Sequence, residues 1–319
     1  MASPITTDVL TAAKAIAAGQ LCAIPTETVY GLAADATNPD AIARVFAAKG
    51  RPTDHPLIVH VENLEAANQW FSQLPLWATK LATEIWPGPL TIVAKRTELA
   101  LDVVTGGQDT VAVRVPSHPV AAKLLKQLSE IGIAGVVAPS ANRFGHVSPT
   151  SADHVAKDLG EYLLAHQDLI LDGGISEVGL ESTIVLAIDD NPVILRPGAI
   201  TQFDIEKITG LPVSTSSENT PRVSGSLDSH YAPSAKVVLV KANEIPNDLA
   251  AGYIGLGGVE IPSNVTVLLA AENIEDYAAN LYRALRAGDQ ANLSTIYAVL
   301  PDGNDLAIAV RDRLTRAAH

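Results

Sequence analysis

The order in which strand-like and helix-like patterns follow one another constrains this chain more than any other feature. Val9, Leu10, Ala13, Ile16 and Ala17 fall on one helical face, and Gly19 supplies a stop. Residues 21–25 read as a short buried strand. Asn38-Pro39 is a cap followed by a first-turn proline. Ile42, Val45 and Phe46 continue as an apolar stripe, and Gly50 ends that helix. Residues 57–61, 91–95, 110–115 and 136–138 read as strands, Ser148-Pro149 opens a helix to about Gly160, and 169–171, 183–188 and 193–195 read as further strands. The elements mix without strict βαβ alternation, and some neighbouring strands have only short turns between them. This pattern predicts an α/β domain on a twisted, mixed, partly antiparallel sheet, not a purely doubly wound one.

The composition changes near residue 212. Residues 213–229 hold six serines, few apolar side chains and one proline, which is linker composition. Strand patterns return at 236–241, 252–256, 265–269 and 295–300, with helices at 274–287 and 305–317. The expected layout is a first domain over 1–212, a linker over 213–235, and a smaller Rossmann-like α/β domain over 236–319. The total of 319 residues suits two domains and a large core without covalent staples.

Several function classes drop out. Cys22 is the single cysteine, so neither an intramolecular disulfide nor a cysteine zinc site fits, and a reducing, cytoplasmic setting is expected. The net charge of -13 repels phosphate backbones, so strong direct nucleic acid binding is not expected. No apolar run reaches the roughly 20 residues that span a bilayer, and the N-terminus has no basic and apolar signal-peptide pattern, so no membrane association is expected. There is no Gly-x-x-x-x-Gly-Lys-Ser/Thr phosphate loop, no His-Glu-x-x-His helix and no histidine cluster of metal-ligand spacing. Gly255-Leu256-Gly257-Gly258 lacks the third glycine of a dinucleotide fingerprint and reads better as a turn.

Five segments concentrate polar chemistry. Pro25-Thr26-Glu27-Thr28-Val29-Tyr30-Gly31 is either a capped turn or a loop whose hydroxyls and amides meet a small polar ligand. Lys49-Gly50-Arg51-Pro52 sets two cations at a helix end, either as dipole partners or as a clamp on a polyanion. Arg114 lies in a strongly apolar strand, so it meets an acidic side chain or faces a cleft that takes an anion. Ala138-Pro139-Ser140-Ala141-Asn142 follows a buried strand, and Ser148 is either a plain cap or part of a phosphate-binding helix N-terminus. Glycine-rich turns at 173–174 and 179 precede Glu181-Ser182-Thr183, and Arg196 ends a strand beside Pro197-Gly198. Lys49, Arg51, Arg114 and Arg196 together would suit a nucleotide triphosphate pocket that lacks a phosphate loop.

These segments resemble, in order, the motifs of the YrdC-type threonylcarbamoyl-AMP synthases. The carriers are Pro-Thr-Glu-Thr-Val-Tyr-Gly-Leu, Lys-Gly-Arg-Pro, His-Pro-Leu-Ile-Val-His, Trp86-Pro-Gly-Pro-Leu-Thr, Thr-Val-Ala-Val-Arg-Val-Pro, Ala-Pro-Ser-Ala-Asn, Glu-Ser-Thr-Ile-Val and Leu-Arg-Pro-Gly. The resemblance covers about residues 8–210, and His230-Tyr231-Ala232-Pro233 is similar to the linker motif of the longer, two-domain members. It departs at Ser224-Gly225-Ser226, where such members often carry Pro-Gly-Met and lysines.

The resemblance implies a twisted sheet with a large concave, positively lined cavity. It also implies a nucleotidyltransferase reaction in which L-threonine, bicarbonate and ATP, with Mg2+ on the phosphates, give L-threonylcarbamoyl-AMP and pyrophosphate. The product would pass to proteins that transfer threonylcarbamoyl to tRNA. Carried over by motif, Thr28, His60, Arg114, Ala138, Ser140 and Ser182 would contact L-threonine or its carbamate. Lys49, Arg51, Thr110, Ser140, Ser148, Arg196 and Tyr231 would contact ATP, with Lys49 and Arg51 catalytic. Removing either of those two is expected to slow the reaction with little change in melting temperature. A non-catalytic RNA-binding module of the same fold is the alternative, and the net charge counts against it.

Overall fold

The computed structural model describes residues 4–215, 220–225 and 230–319. The parts of the 213–235 segment at 216–219 and 226–229 therefore lie outside the described residues. By contacts the chain forms two compact units. The first comprises the chain through Phe144 with Pro149–Ser176 and Glu181–Ser226, and the second comprises Gly145–Ser148, Glu177–Leu180 and the chain from Leu227.

Along the first unit run β1 (Ile5–Thr6), α1 (Val9–Ala17), β2 (Cys22–Ile24), β3 (Gly31–Asp35), α2 (Pro39–Lys49), β4 (Ile58–His60), α3 (Leu64–Asn68), α4 (Leu76–Ile85), β5 (Leu90–Lys95), α5 (Asp102–Thr105), β6 (Thr110–Arg114), α6 (Pro119–Glu130), β7 (Val136–Val137), α7 (Ala152–Ala165), β8 (Leu169–Leu171), β9 (Thr183–Leu186), β10 (Val193–Arg196), α8 (Gln202–Thr209) and β11 (Ser214–Thr215). Among the described residues the eleven strands form one sheet in the order β1-β8-β2-β3-β7-β4-β6-β5-β9-β10-β11. It is mixed, as the pattern predicts. β4 runs parallel to β6 and β5 to β9, while β4 with β7, β5 with β6 and β9 with β10 are antiparallel.

Alternation along the strands assigns side chains to faces. One face carries Val59, Val113, Ile92 and Val185 into the main core, where Ile42, Val45 and Phe46 of α2, Leu81 of α4, Val104 of α5 and Leu159 of α7 cover them. The opposite face is covered differently along its width. Over β2, β3, β7 and β8, α1 and α6 supply Val9, Ala12, Ile16, Leu124, Leu125 and Leu128. Over β4, β5 and β9, the apolar cluster of Ile58, Val93, Ile184 and Leu186 is completed by Val223 and draws none of its members from a helix. The polar positions of the first unit collect beside this cluster.

Local signals explain most of the elements. Asn38 caps α2 through its side chain, Pro39 sits in the first turn, and Gly50 closes the helix at φ 63°. The helix expected from Ser148 begins later, at Ala152. Ser151 is its cap, accepting from the His154 N–H, and the helix continues to Ala165. Ser148 thus precedes the cap by three residues and offers no helix N-terminus to phosphate. The expectations also omit β1, β3, α3, α4, α5, α6, α8 and β11. β3 reads Gly-Leu-Ala-Ala-Asp without a β-branched residue and is a strand because β2 and β7 pair with it on both sides.

In the second unit lie β12 (Lys236–Val240), β13 (Ala251–Leu256), β14 (Thr266–Ala271), α9 (Ile274–Gln290), β15 (Thr295–Val299) and α10 (Leu306–Ala317). The sheet order is β12-β15-β13-β14 and every pair is parallel. The connections from β12 to β13 and from β13 to β14 contain no helix, so the Rossmann-like alternation is complete only around α9 and α10. Gly255 belongs to β13, the Gly257 N–H donates to the Ala271 carbonyl at 2.7 Å, and Gly258 turns at φ 80°. These glycines shape a strand end, in line with the turn reading.

Candidate active site

Register brings the predicted residues of the sheet together. His60 ends β4 opposite Arg114, which ends β6, and Arg114 in turn lies opposite Thr91 on β5. Thr110, Ala112 and Arg114 share one face of β6, whereas Val111 and Val113 enter the main core. On β10 the register shifts between Ile194 and Arg196, so that Arg196 lies opposite Ile184. Without that irregularity Arg196 would face the helices. With it, Arg196 joins the face of Ile184. Its Nη2 donates to the Ser182 carbonyl at 2.9 Å and to Ser182 Oγ at 3.2 Å. Ser182 Oγ also shares a hydrogen bond of 2.7 Å with Thr91 Oγ1.

The loop after β2 folds inward. Thr26, Glu27 and Thr28 are all buried. Thr26 Oγ1 donates to the Val29 carbonyl at 2.6 Å and accepts from the Val29 N–H at 3.2 Å, which makes the capped turn of the simpler reading. The loop also meets Arg114. Nη1 donates to Thr28 Oγ1 at 2.8 Å, and Nη2 stands 2.7 Å from Glu27 Oε1. Of the two alternatives open for Arg114, the acidic partner is therefore present. Glu27 is the residue that the motif-by-motif assignment misses, although a carboxylate in an otherwise hydroxyl and apolar run was the available signal.

The Ala-Pro-Ser-Ala-Asn segment runs beside the same loop. Leu32 N–H donates to the Pro139 carbonyl at 2.7 Å and Ala141 N–H to the Tyr30 carbonyl at 2.8 Å. A Cβ on Gly31 would lie 3.0 Å from both Cβ and O of Ala138, so the absence of a side chain there permits the approach. Ser140 follows, half-buried. Lys49 reaches this segment from α2, with Nζ donating to the Ser140 carbonyl at 2.5 Å and the Asn142 carbonyl at 2.7 Å. Its 2% exposure corrects the expectation that its removal leaves melting unchanged, because both carbonyls would lose a buried donor.

Gly50 separates Lys49 from Arg51 with a left-handed turn, so the two cations diverge. Arg51 donates from Nη2 to the Pro56 carbonyl at 3.0 Å and to Ser224 Oγ at 3.1 Å, and its guanidinium lies 5.5 Å from the Phe144 ring centroid. Arg196 Nη1 donates to the Ser224 carbonyl at 2.8 Å. Ser224 thus bridges two of the four predicted cations. Arg222 anchors the same stretch through Asp54 at 2.9 Å and Gln108.

Two predicted residues belong to the second unit. Ser148 is fully buried, and its carbonyl accepts from Arg286 Nε at 3.3 Å. Tyr231 has φ 62° and stacks on Tyr282 at 5.5 Å, with Arg313 5.2 Å from its ring centroid.

Burial and neighbouring charge tune the site. Burial, with the Arg114 charge beside it, pushes the His60 imidazole down to about 3, so it is neutral near pH 7. Its Nδ1 lies 3.2 Å from the Ile58 carbonyl, which can only accept, so Nδ1 carries the proton and Nε2 is an acceptor. Burial raises the Glu27 carboxyl, but the Arg114 charge and hydrogen bond outweigh it and hold it below its ordinary range. Burial first, and the Arg51 charge second, push the Lys49 ammonium well below the lysine range. Cys22 is buried and its thiol is pushed up to about 12, which makes it no nucleophile. The described residues contain no group of three or more His, Cys, Asp or Glu that could hold a metal ion, and no helix among them is long and apolar enough to cross a membrane.

Comparison with known proteins matches both parts of the chain. The Sua5_yciO_yrdC family model, described as "Telomere recombination", matches residues 14–198, and a model described as the threonylcarbamoyl-AMP synthase C-terminal domain matches 200–319. The threonylcarbamoyl-AMP synthase of Pyrococcus abyssi is 40% identical over 96% of this chain and 93% of its own length. That of Bacillus subtilis is 37% identical over 96% and 92%. Among solved structures, P. abyssi Sua5 complexed with L-threonine superposes with a TM-score of 0.85 at 37% identity, covering 97% of this chain and 94% of that one.

Proposed function

This chain belongs to the Sua5–YciO–YrdC family in its two-domain form and is an enzyme of the threonylcarbamoyl-AMP synthase type, and we propose how its residues divide the work of joining L-threonine, bicarbonate and ATP. Threonine's amine, once neutral, adds to CO2 derived from bicarbonate and loses a proton, giving a carbamate anion. A carbamate oxygen attacks the α-phosphorus of ATP, and pyrophosphate leaves in line. Both reactants of the second step are anions, so positioned cations are needed more than a strong base.

The observation that carries this reading is the polar set of His60, Thr91, Arg114, Ser182 and Arg196 on one face of the sheet, next to a cluster without helix residues. Arg114, held by Glu27 and Thr28, takes the carboxylate of L-threonine. His60, neutral, accepts a hydrogen bond from the substrate through Nε2. Ala138, Ser140 and Ser182 complete the threonine contacts. Lys49 donates to two carbonyls, and its contact to substrate uses the donor that remains. Arg51 and Arg196 bind phosphate oxygens, with Thr110, Ser140, Ser148 and Tyr231 as further ATP contacts. ATP enters as its Mg2+ complex, the ion held by phosphates and water.

The 213–235 stretch serves as a lid over a labile mixed anhydride. The packing of Val223 and Ser224 beside Ile184 and Arg196, within the first unit, supports this role. If Tyr231→Phe and a linker deletion both keep full ATP-dependent pyrophosphate release, the lid is wrong. The reaction belongs in the cytoplasm, and its product passes to proteins that modify tRNA. The test of the function is a chromatogram of enzyme with labelled L-threonine, labelled bicarbonate and ATP. One adenylate carrying both labels, with one pyrophosphate per adenylate, is expected. Binding of ATP and threonine without that product would overturn the proposal.

A further inference from the structure

The stretch Gly145–Ser148 folds with the second unit, although it lies between β7 and α7 in the chain. Its contacts there are specific. The Ala232 N–H donates to the Gly145 carbonyl at 3.0 Å, and His146 forms a bridge with Ala232. Arg286, on α9, donates from Nε to the Ser148 carbonyl and from Nη2 to the Val147 carbonyl. Arg286 is 7% exposed, and Val147 and Ser148 are buried.

A guanidinium is planar, always charged and rigid at its donor fork. Two carbonyl acceptors on successive residues therefore fix the plane of the peptide between them. On the other side of Ser148 stands Pro149, which restricts the backbone of the residue before it. With both flanking peptides constrained, the Ser148 side chain retains little freedom beyond its own rotation.

We infer that Arg286 is a positioning residue for Ser148, so that the C-terminal unit contributes to nucleotide binding by holding a loop of the N-terminal sequence in one backbone geometry. The inference rests on the proposed role of Ser148 as an ATP contact. A lysine at 286 keeps the charge but has no planar fork to span two carbonyls, and alanine keeps neither.

The test titrates the full chain separately with ATP and with L-threonine, for the wild type, Ser148→Ala, Arg286→Lys, Arg286→Ala and the Ser148→Ala/Arg286→Ala pair. Arg286→Ala is expected to weaken ATP about tenfold, in the range that small misplacements of binding groups produce, and to leave L-threonine within about twofold. Arg286→Lys falls between it and the wild type. The paired variant weakens ATP no more than the stronger of its two single changes, because Arg286 acts through Ser148. Unchanged ATP affinity in Arg286→Ala, equal weakening of both ligands, or additive losses in the pair overturn the positioning role. If Arg286→Ala does not fold, Arg286→Lys decides by the same comparison. ATP binding that Ser148→Ala leaves intact removes the premise for Ser148 instead, and absence of ATP binding in the wild type overturns the proposed function itself.

Discussion

Arg114 and Glu27 are 5% and 7% exposed at their side chains, and neither charge is tolerable there alone. Glu27→Gln leaves a buried guanidinium without its counter-charge. It is expected to lower stability by about 3–5 kcal/mol, the range for breaking a buried pair, and to weaken L-threonine binding, as denaturant unfolding and ligand titration would read. His60 acts on stability through pH. Its folded pKa lies below the unfolded one, so the unfolded state binds the extra proton first. Stability is present above about pH 6.5 and is lost as pH falls toward 3. At pH 5 the loss from this group is about 2 kcal/mol, and His60→Gln should flatten that part of the profile. An equally steep profile in the variant would assign the slope to other groups. For the cations, Arg51→Ala removes a charge-assisted contact worth about 1.5–3 kcal/mol, or roughly tenfold to over a hundredfold in rate. Lys49→Ala should lose activity and melting temperature together, since its buried bonds to the Ser140 and Asn142 carbonyls also hold the fold.

At the scale of elements, the irregularity in β10 decides which face Arg196 occupies, and the turn after it is tightly packed. A Cβ on Gly198 would lie 2.4 Å from the Thr183 nitrogen and 2.6 Å from the Glu181 carbonyl oxygen, both backbone atoms that cannot swing aside. Gly198→Ala is expected to displace the start of β9, with Ser182, and to lower both stability and ATP binding. Gly160, inside α7, provides the contrast. Its Cβ would meet only the Ala156 Cβ, at 3.9 Å, so Gly160→Ala should stabilise by about 0.5–1 kcal/mol through helix propensity with activity unchanged. Thermal unfolding of the two variants side by side checks both signs. The expected helix and strand cores were legible here because capping and periodicity are local. Asn38-Pro39 and Gly50 bound α2 as read. The start of α7 was not, because Ser148 and Ser151 both precede suitable sequence and only the folded backbone selects Ser151.

For the whole molecule, the net charge of -13 and the cationic set of the first unit act at different ranges. The overall field opposes a polyanion as large as tRNA, while contacts at a few ångströms still hold a nucleotide. Filter binding to tRNA at physiological salt should therefore be weak in a preparation that releases pyrophosphate from ATP at full rate. Tight, salt-sensitive tRNA binding without pyrophosphate release would instead favour an RNA-binding module.

What the sequence by itself determined is the mixed α/β class and the identity of the motifs, since periodicity and short polar runs are properties of neighbouring residues. The tertiary structure alone decided that Glu27 meets Arg114, that Arg196 turns to the face of Ile184, and that Ser224 bridges Arg51 and Arg196. It also decided that the stretch ending at Ser148 is held from α9. These pairings join residues 28 to 173 positions apart or depend on a shift of register by one residue. Their energies arise from burial and from the sum of long-range contacts, which no local pattern along the chain encodes.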